Sequence, residues 1–121
     1  MVVIGTAVAA VAAFLISGLY YALMPTPDGA HGPERSAVST AAVELARSTV
    51  VAALVAGLLT AADVDTLGRG ALLGLALWLL PVVLLAGAVF HEGTRPASAA
   101  LHAGDWLLKL IAIGMILGIL P

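Results

Sequence analysis

The apolar positions of this chain fall into four long runs separated by short polar breaks, and each run approaches the roughly 20 residues that a membrane-spanning helix needs. The first covers Val2 to Met24 and is closed by Pro25 and Pro27. It has no basic n-region and no small-residue cleavage site before the prolines, so it reads as an anchor and not as a signal peptide. The second runs from about Ser36 to Ala62, with Pro33 placed to start its helix. The third is Gly70 to Phe90, and the fourth is Ala97 to Leu120 behind Pro96. The linkers are short, at Pro25–Arg35, Asp63–Arg69 and His91–Pro96. The pattern predicts an all-α integral membrane protein, an antiparallel four-helix bundle occupying residues 1–121 as a single transmembrane domain. Its predicted immediate partner is the lipid bilayer.

Composition narrows the class further. The chain is 62% hydrophobic and 10% charged, with a mean hydropathy of +1.14. Soluble domains are about one quarter charged, so this surface is not built for water. A formal charge of −2 with five Lys plus Arg excludes a basic nucleic-acid surface. With no cysteine there is no disulfide framework, zinc–thiolate site or thiol chemistry.

Four antiparallel spans put the first and third linkers on one side of the membrane, and the second linker and both ends of the chain on the other. Asp63, Asp65 and Arg69 are the ionisable residues of the second linker; every other ionisable residue belongs to the opposite side or descends from it. Basic residues follow the same bias, with Arg35, Arg47, Arg95 and Lys109 against Arg69 alone. The positive-inside rule places that polar side in the cytoplasm. Glycines sort in the opposite sense. Gly70 and Gly74 open the third segment, Gly114 and Gly118 close the fourth, and Gly5 and Gly57 lie toward the same end. Small residues let helix backbones approach closely, so the expectation is a tight end at the second linker and an open, polar end opposite. The glycine pairs suit either packing within one chain or assembly of a homo-oligomer. Pro81 predicts a kink in the third helix.

The polar residues cluster on helix faces. His102, Asp105 and Lys109 are spaced i, i+3, i+7, with Asp105 preceding Lys109 in the favourable order for a helical ion pair. Lys109 lies about 18 Å along its helix, near the middle of a ~30 Å hydrocarbon core. A charge there costs roughly 2.5–3.5 kcal/mol on insertion scales, so it needs a partner. The second segment repeats the arrangement with Thr40, Glu44, Arg47 and Val51 on one face. Ser17 and Tyr21, with Tyr20 beside them, lie at the same end of the first segment, and His91 and Glu92 leave the third on that side.

Three functions fit. A binding or transport module would use Glu44, Arg47, His102, Asp105, Lys109 and Tyr21 to hold or move a small polar solute, an ion or a proton. A metal-dependent membrane enzyme would ligate a divalent ion through His91, Glu92, His102 and Asp105. An accessory subunit would use the same ion pairs only to specify its fold or its partner. The bland readings stand beside them: self-neutralised pairs that set register, Tyr20, Tyr21 and Trp106 as an interfacial aromatic belt, Trp78 and the methionines as packing. Ser17, Ser36, Ser39, Ser48 and Ser98 occupy no nucleophile elbow, and no phosphate-binding or dinucleotide motif is present.

Gly18-Leu-Tyr20-Tyr21, Ala71-Leu-Leu-Gly74-Leu-Ala-Leu-Trp78, His91-Glu92, Leu101-His102-Ala-Gly104-Asp105-Trp106 and Gly114-Met-Ile-Leu-Gly118 together resemble a family of small bacterial integral membrane proteins defined as a domain of unknown function. The resemblance extends over essentially the whole chain. It implies four helices in a bacterial cell membrane, and it implies no reaction, cofactor or substrate.

Overall fold

The computed structural model describes residues 2–25 and 36–120. The first linker beyond Pro25, with Asp28, His31, Glu34, Arg35 and the helix-starting role assigned to Pro33, lies outside the described residues. The described residues form four helices: α1 (Val2–Leu23), α2 (Ala37–Ala61), α3 (Leu67–His91) and α4 (Pro96–Ile119). Each is long and apolar enough to cross a membrane. The chain is a multi-pass membrane protein.

Local chemistry sets the helix ends. The Ser36 side chain accepts from the Ser39 backbone N–H at 3.0 Å and caps α2. Thr66 does the same for α3, accepting from Arg69 N–H at 3.2 Å. That cap starts α3 three residues before the expected Gly70, so Arg69 lies in the first helical turn and not in the linker. Pro96 occupies the first turn of α4, where its missing N–H is no loss. The turn after α2 passes through Asp63 at φ 54°, and the turn after α3 through Gly93 at φ 70°, the left-handed region that glycine enters freely. α3 continues through Pro81 as one helix.

The helices do not close into a symmetric ring. α4 packs closely on α3 and on α1, and α1 packs on α2, whereas α2 and α3 barely touch. A cleft therefore runs between α2 and α3, floored by α4. The core is built largely from small side chains: Ala9, Ala10 and Ala13 of α1 meet Ala52, Val55, Ala56 and Leu59 of α2 and Leu110, Ile113 and Leu117 of α4. Lipid tails are as apolar as leucine, so close van der Waals fit and not water exclusion holds such helices together. Large side chains accordingly point outward into lipid, among them Leu15, Leu19, Leu72, Val83 and Phe90.

α3 shows this logic most sharply, because its only buried residues are Gly70 and Gly74. A Cβ on Gly70 would strike the carbonyl oxygen of Gly114, and one on Gly114 would strike that of Gly70. Gly74 lies as closely on the Leu110 carbonyl, Gly118 on that of Thr66, and Gly5 on that of Leu120. The end at the second linker is thus the tight one, and its glycine pairs are consumed by packing within the chain. Gly57 takes no part, having open space around the position of its missing Cβ.

Candidate functional site

The opposite end of the bundle gathers the charges. Glu44 and Arg47, one turn apart on α2, pair at 3.2 Å from Nη1 to Oε2. Asp105 and Lys109, one turn apart on α4, pair at 2.8 Å from Nζ to Oδ2. The two stripes meet: Lys109 Nζ also reaches Glu44 Oε1 at 3.2 Å. Glu44 therefore bridges an outer cation and an inner one. Exposure falls steeply along this ladder, from 55% for the Arg47 side chain to 22% for Glu44, 5% for Lys109 and 3% for Asp105. The four formal charges cancel, which is what allows two of them to lie buried within the membrane-spanning region.

Trp106 sits beneath both cations. Lys109 Nζ lies 4.2 Å from a Trp106 ring centroid and Arg47 Cζ 5.8 Å, within range of the attraction between a cation and an aromatic face. Trp106 is thus part of the site and not only a member of an interfacial belt. Its i+3 offset from Lys109 along α4 was visible in the chain, but which face of the ring would meet a cation was not. Trp78 does more than pack, because its indole N–H donates to the Ala103 carbonyl at 2.8 Å and ties α3 to α4.

α1 completes the polar end. The Tyr20 hydroxyl donates to the Leu101 carbonyl at 2.7 Å, and it lies close over Gly104, where an added Cβ would push it aside. The Tyr21 hydroxyl and His102 Nδ1 share a hydrogen bond of 2.6 Å. Together α1, α2 and α4, with Leu85 of α3, border an open cavity of about 840 Å³ whose lining includes Ser17, Tyr21, Thr40, Glu44, Arg47, His102, Asp105 and Trp106. All of the expected binding residues except Lys109 line this cavity, and Lys109 is bonded directly to two that do.

Among the described residues, two buried side-chain polar atoms lack a partner, Asp105 Oδ1 and Ser48 Oγ. Native proteins satisfy nearly all such atoms, so both stand out in this bundle. Asp105 borders the cavity, although Oδ1 itself is closed off from it. Ser48 instead faces the packed space shared with Lys109, Trp106 and Ile113.

The expected metal quartet is not assembled. Among the described residues no three His, Asp or Glu side chains converge on a point that would hold an ion. The reason lies in which side of α4 each residue meets. His102 turns toward α1 and bonds Tyr21, whereas α3 is held on the side marked by the contact of Trp78 with Ala103. His91 and Glu92 sit exposed at the end of α3, and His91 rests edge-on against Phe90, with ring centroids 4.8 Å apart. Asp105 holds Lys109 through Oδ2.

Comparison with known proteins places this arrangement in a family. A search of curated proteins and a search of solved structures each found no match. A family model described as "Protein of unknown function (DUF1761)" matches residues 4–118, which include all four helices apart from their outermost residues and every member of the charged site. The chain belongs to this family.

Proposed function

We propose that this protein binds a small polar solute of zero net charge in the cavity at the charged end of the bundle. The observation that carries the reading is a cavity of about 840 Å³ whose wall carries Glu44 beside Arg47, an acid 22% exposed and a base 55% exposed. A deprotonated carboxylate oxygen only accepts hydrogen bonds, so the solute supplies an N–H or O–H. Arg47, more than half exposed and using Nη1 on Glu44, retains guanidinium donors for an acceptor on the same solute. The Glu44–Arg47–Asp105–Lys109 set is neutral as it stands. A solute carrying net charge would leave that charge uncompensated, while a neutral or zwitterionic one would not.

Binding fits the geometry better than conduction. The charged ladder descends to Lys109 and stops, and below it Ile113, Leu117 and the glycine-packed contact of α3 with α4 close the bundle. The site opens toward one side. Its test is thermal unfolding of the purified protein with glycerophosphoethanolamine, a zwitterion, and separately with its two halves, ethanolamine and glycerophosphate. The zwitterion is expected to stabilise by about 1.4 kcal/mol at tenfold its Kd. Neither half should match it, and Glu44→Gln and Arg47→Gln should lose the effect. An unchanged midpoint in the wild type, or an equal response in both variants, overturns the proposal.

The reading includes a location, the inner membrane of a bacterium with the charged end toward the cytoplasm. It is supported by the bias of Arg35, Arg47, Arg95 and Lys109 against Arg69. The chain contains no cysteine, so single substitutions report sidedness cleanly. Asp65→Cys should react with an impermeant maleimide in intact cells, and Glu92→Cys only after permeabilisation. The reverse pattern would invert the orientation.

A further inference from the structure

Beside the polar cavity lies a second, wholly different space. The cleft between α2 and α3 encloses about 450 Å³ lined by Val51, Leu54, Leu58, Leu80, Leu84 and other apolar side chains. Trp106 and Leu85 line both spaces, so the two adjoin along one wall. Their order along the helices is informative. The polar cavity uses α2 from Ala37 to Arg47 and the half of α4 nearer its start, at the charged end. The apolar cleft uses α2 from Val51 to Leu58 with the central part of α3, which puts it deeper, toward the middle of the bilayer. A polar compartment at the interface with an apolar one beneath it follows the depth profile of one membrane leaflet.

We infer that the cavity and the cleft form one site for a zwitterionic amphiphile, an ammonium-bearing phospholipid whose head enters the cavity while a tail lies in the cleft past Trp106. The inference rests on the proposed solute site and names the class of its ligand. Glu44, the partly exposed carboxylate of the cavity wall, accepts from the ammonium group, and Arg47 donates to the phosphate, a pairing for which its planar fork is suited. The occupant reaches the site sideways. α2 and α3 scarcely touch, so a tail passes from the bilayer into the cleft without crossing water. A free solute cannot explain the cleft. A lipid lacking an N–H donor, such as phosphatidylcholine, fills the cleft but gives Glu44 no hydrogen bond.

The experiment is native mass spectrometry of the full-length protein extracted from vesicles holding equal amounts of phosphatidylethanolamine and phosphatidylcholine. One bound phosphatidylethanolamine is expected, retained over phosphatidylcholine by roughly tenfold, the scale of one hydrogen bond to a charged acceptor. Glu44→Gln should remove that preference, and Arg47→Gln, at an exposed position where folding is not at stake, should lower the retention of both lipids alike. Leu54, 65% exposed on the cleft wall, gives the separating variant. Leu54→Trp fills the cleft and should expel the lipid while leaving stabilisation by glycerophosphoethanolamine intact. Equal retention of the two lipids by the wild type, or undiminished lipid on Leu54→Trp, overturns the amphiphile inference and leaves the solute site standing. Loss of the glycerophosphoethanolamine response in the wild type would remove the solute site itself.

Discussion

Lys109→Met is expected to destabilise the folded protein by about 3–5 kcal/mol, the usual consequence of removing one partner from a buried ion pair. Lys109 answers two carboxylates, Asp105 at 2.8 Å and Glu44 at 3.2 Å. Without it, Asp105 is left with both oxygens unpartnered in a site 3% exposed. Glu44 fares better because it is more exposed and keeps Arg47, so most of the loss belongs to Asp105. The diagnostic result is in the combination. Lys109→Met with Asp105→Leu replaces the inner pair by apolar side chains and should recover most of the lost stability, because charge and desolvation penalty are removed together. Unfolding of the single and double variants in mixed micelles measures the cycle. A double variant as unstable as the sum of the singles would mean that the pair is not an isolated, mutually compensating unit. Recovery of stability without recovery of solute binding would separate the two roles of these charges.

Gly114→Ala is expected to cost about 3 kcal/mol, and Gly57→Ala to raise stability by up to about 1 kcal/mol, although both replace a glycine by alanine within a helix. Alanine is the better helix former by roughly 0.8–1.0 kcal/mol, and at Gly57 nothing opposes that gain because no atom lies within 4 Å of the added Cβ. At Gly114 the new methyl meets the backbone carbonyl of Gly70. Backbone cannot rotate away as a side chain does, so α3 and α4 must separate, and overpacking of this kind reaches the upper part of its usual 1–3 kcal/mol range. Because α3 is held chiefly by α4, this variant should also release α3 to proteolysis within the 63–66 turn before the rest of the bundle unfolds. Equal behaviour of the two glycine variants in thermal unfolding would sink the assignment of the tight end.

The four helices were legible from hydropathy because the bilayer leaves a chain few options. Twenty apolar residues bounded by Pro, Gly and charge satisfy their backbone polar groups only as a spanning helix. The pairing of Glu44–Arg47 with Asp105–Lys109 was legible for a related reason, since neither stripe is tolerable against lipid and each carries what the other lacks. Antiparallel order likewise brought Gly70 and Gly74 opposite Gly114 and Gly118. The cap at Thr66 shifted the start of α3, a local effect of one hydroxyl that the apolar pattern does not register. His91, Glu92, His102 and Asp105 do not converge in the described residues, because helix spacing gives the angle between residues on one helix but not which neighbour each face meets. His102 and His91 are close in sequence, yet they serve different sides of α4.

Alone, then, the chain determined that this is a four-helix membrane protein with a polar end and a glycine end, because burial in hydrocarbon constrains composition and periodicity directly. Only the tertiary structure decided that α2 and α3 stay apart, that Trp106 and Leu85 divide a polar cavity from an apolar cleft, and that Asp105 keeps one oxygen without a partner. Those features depend on the distances and rotations between helices, and side-chain volumes at several contacts set these jointly. No single stretch of the sequence contains them.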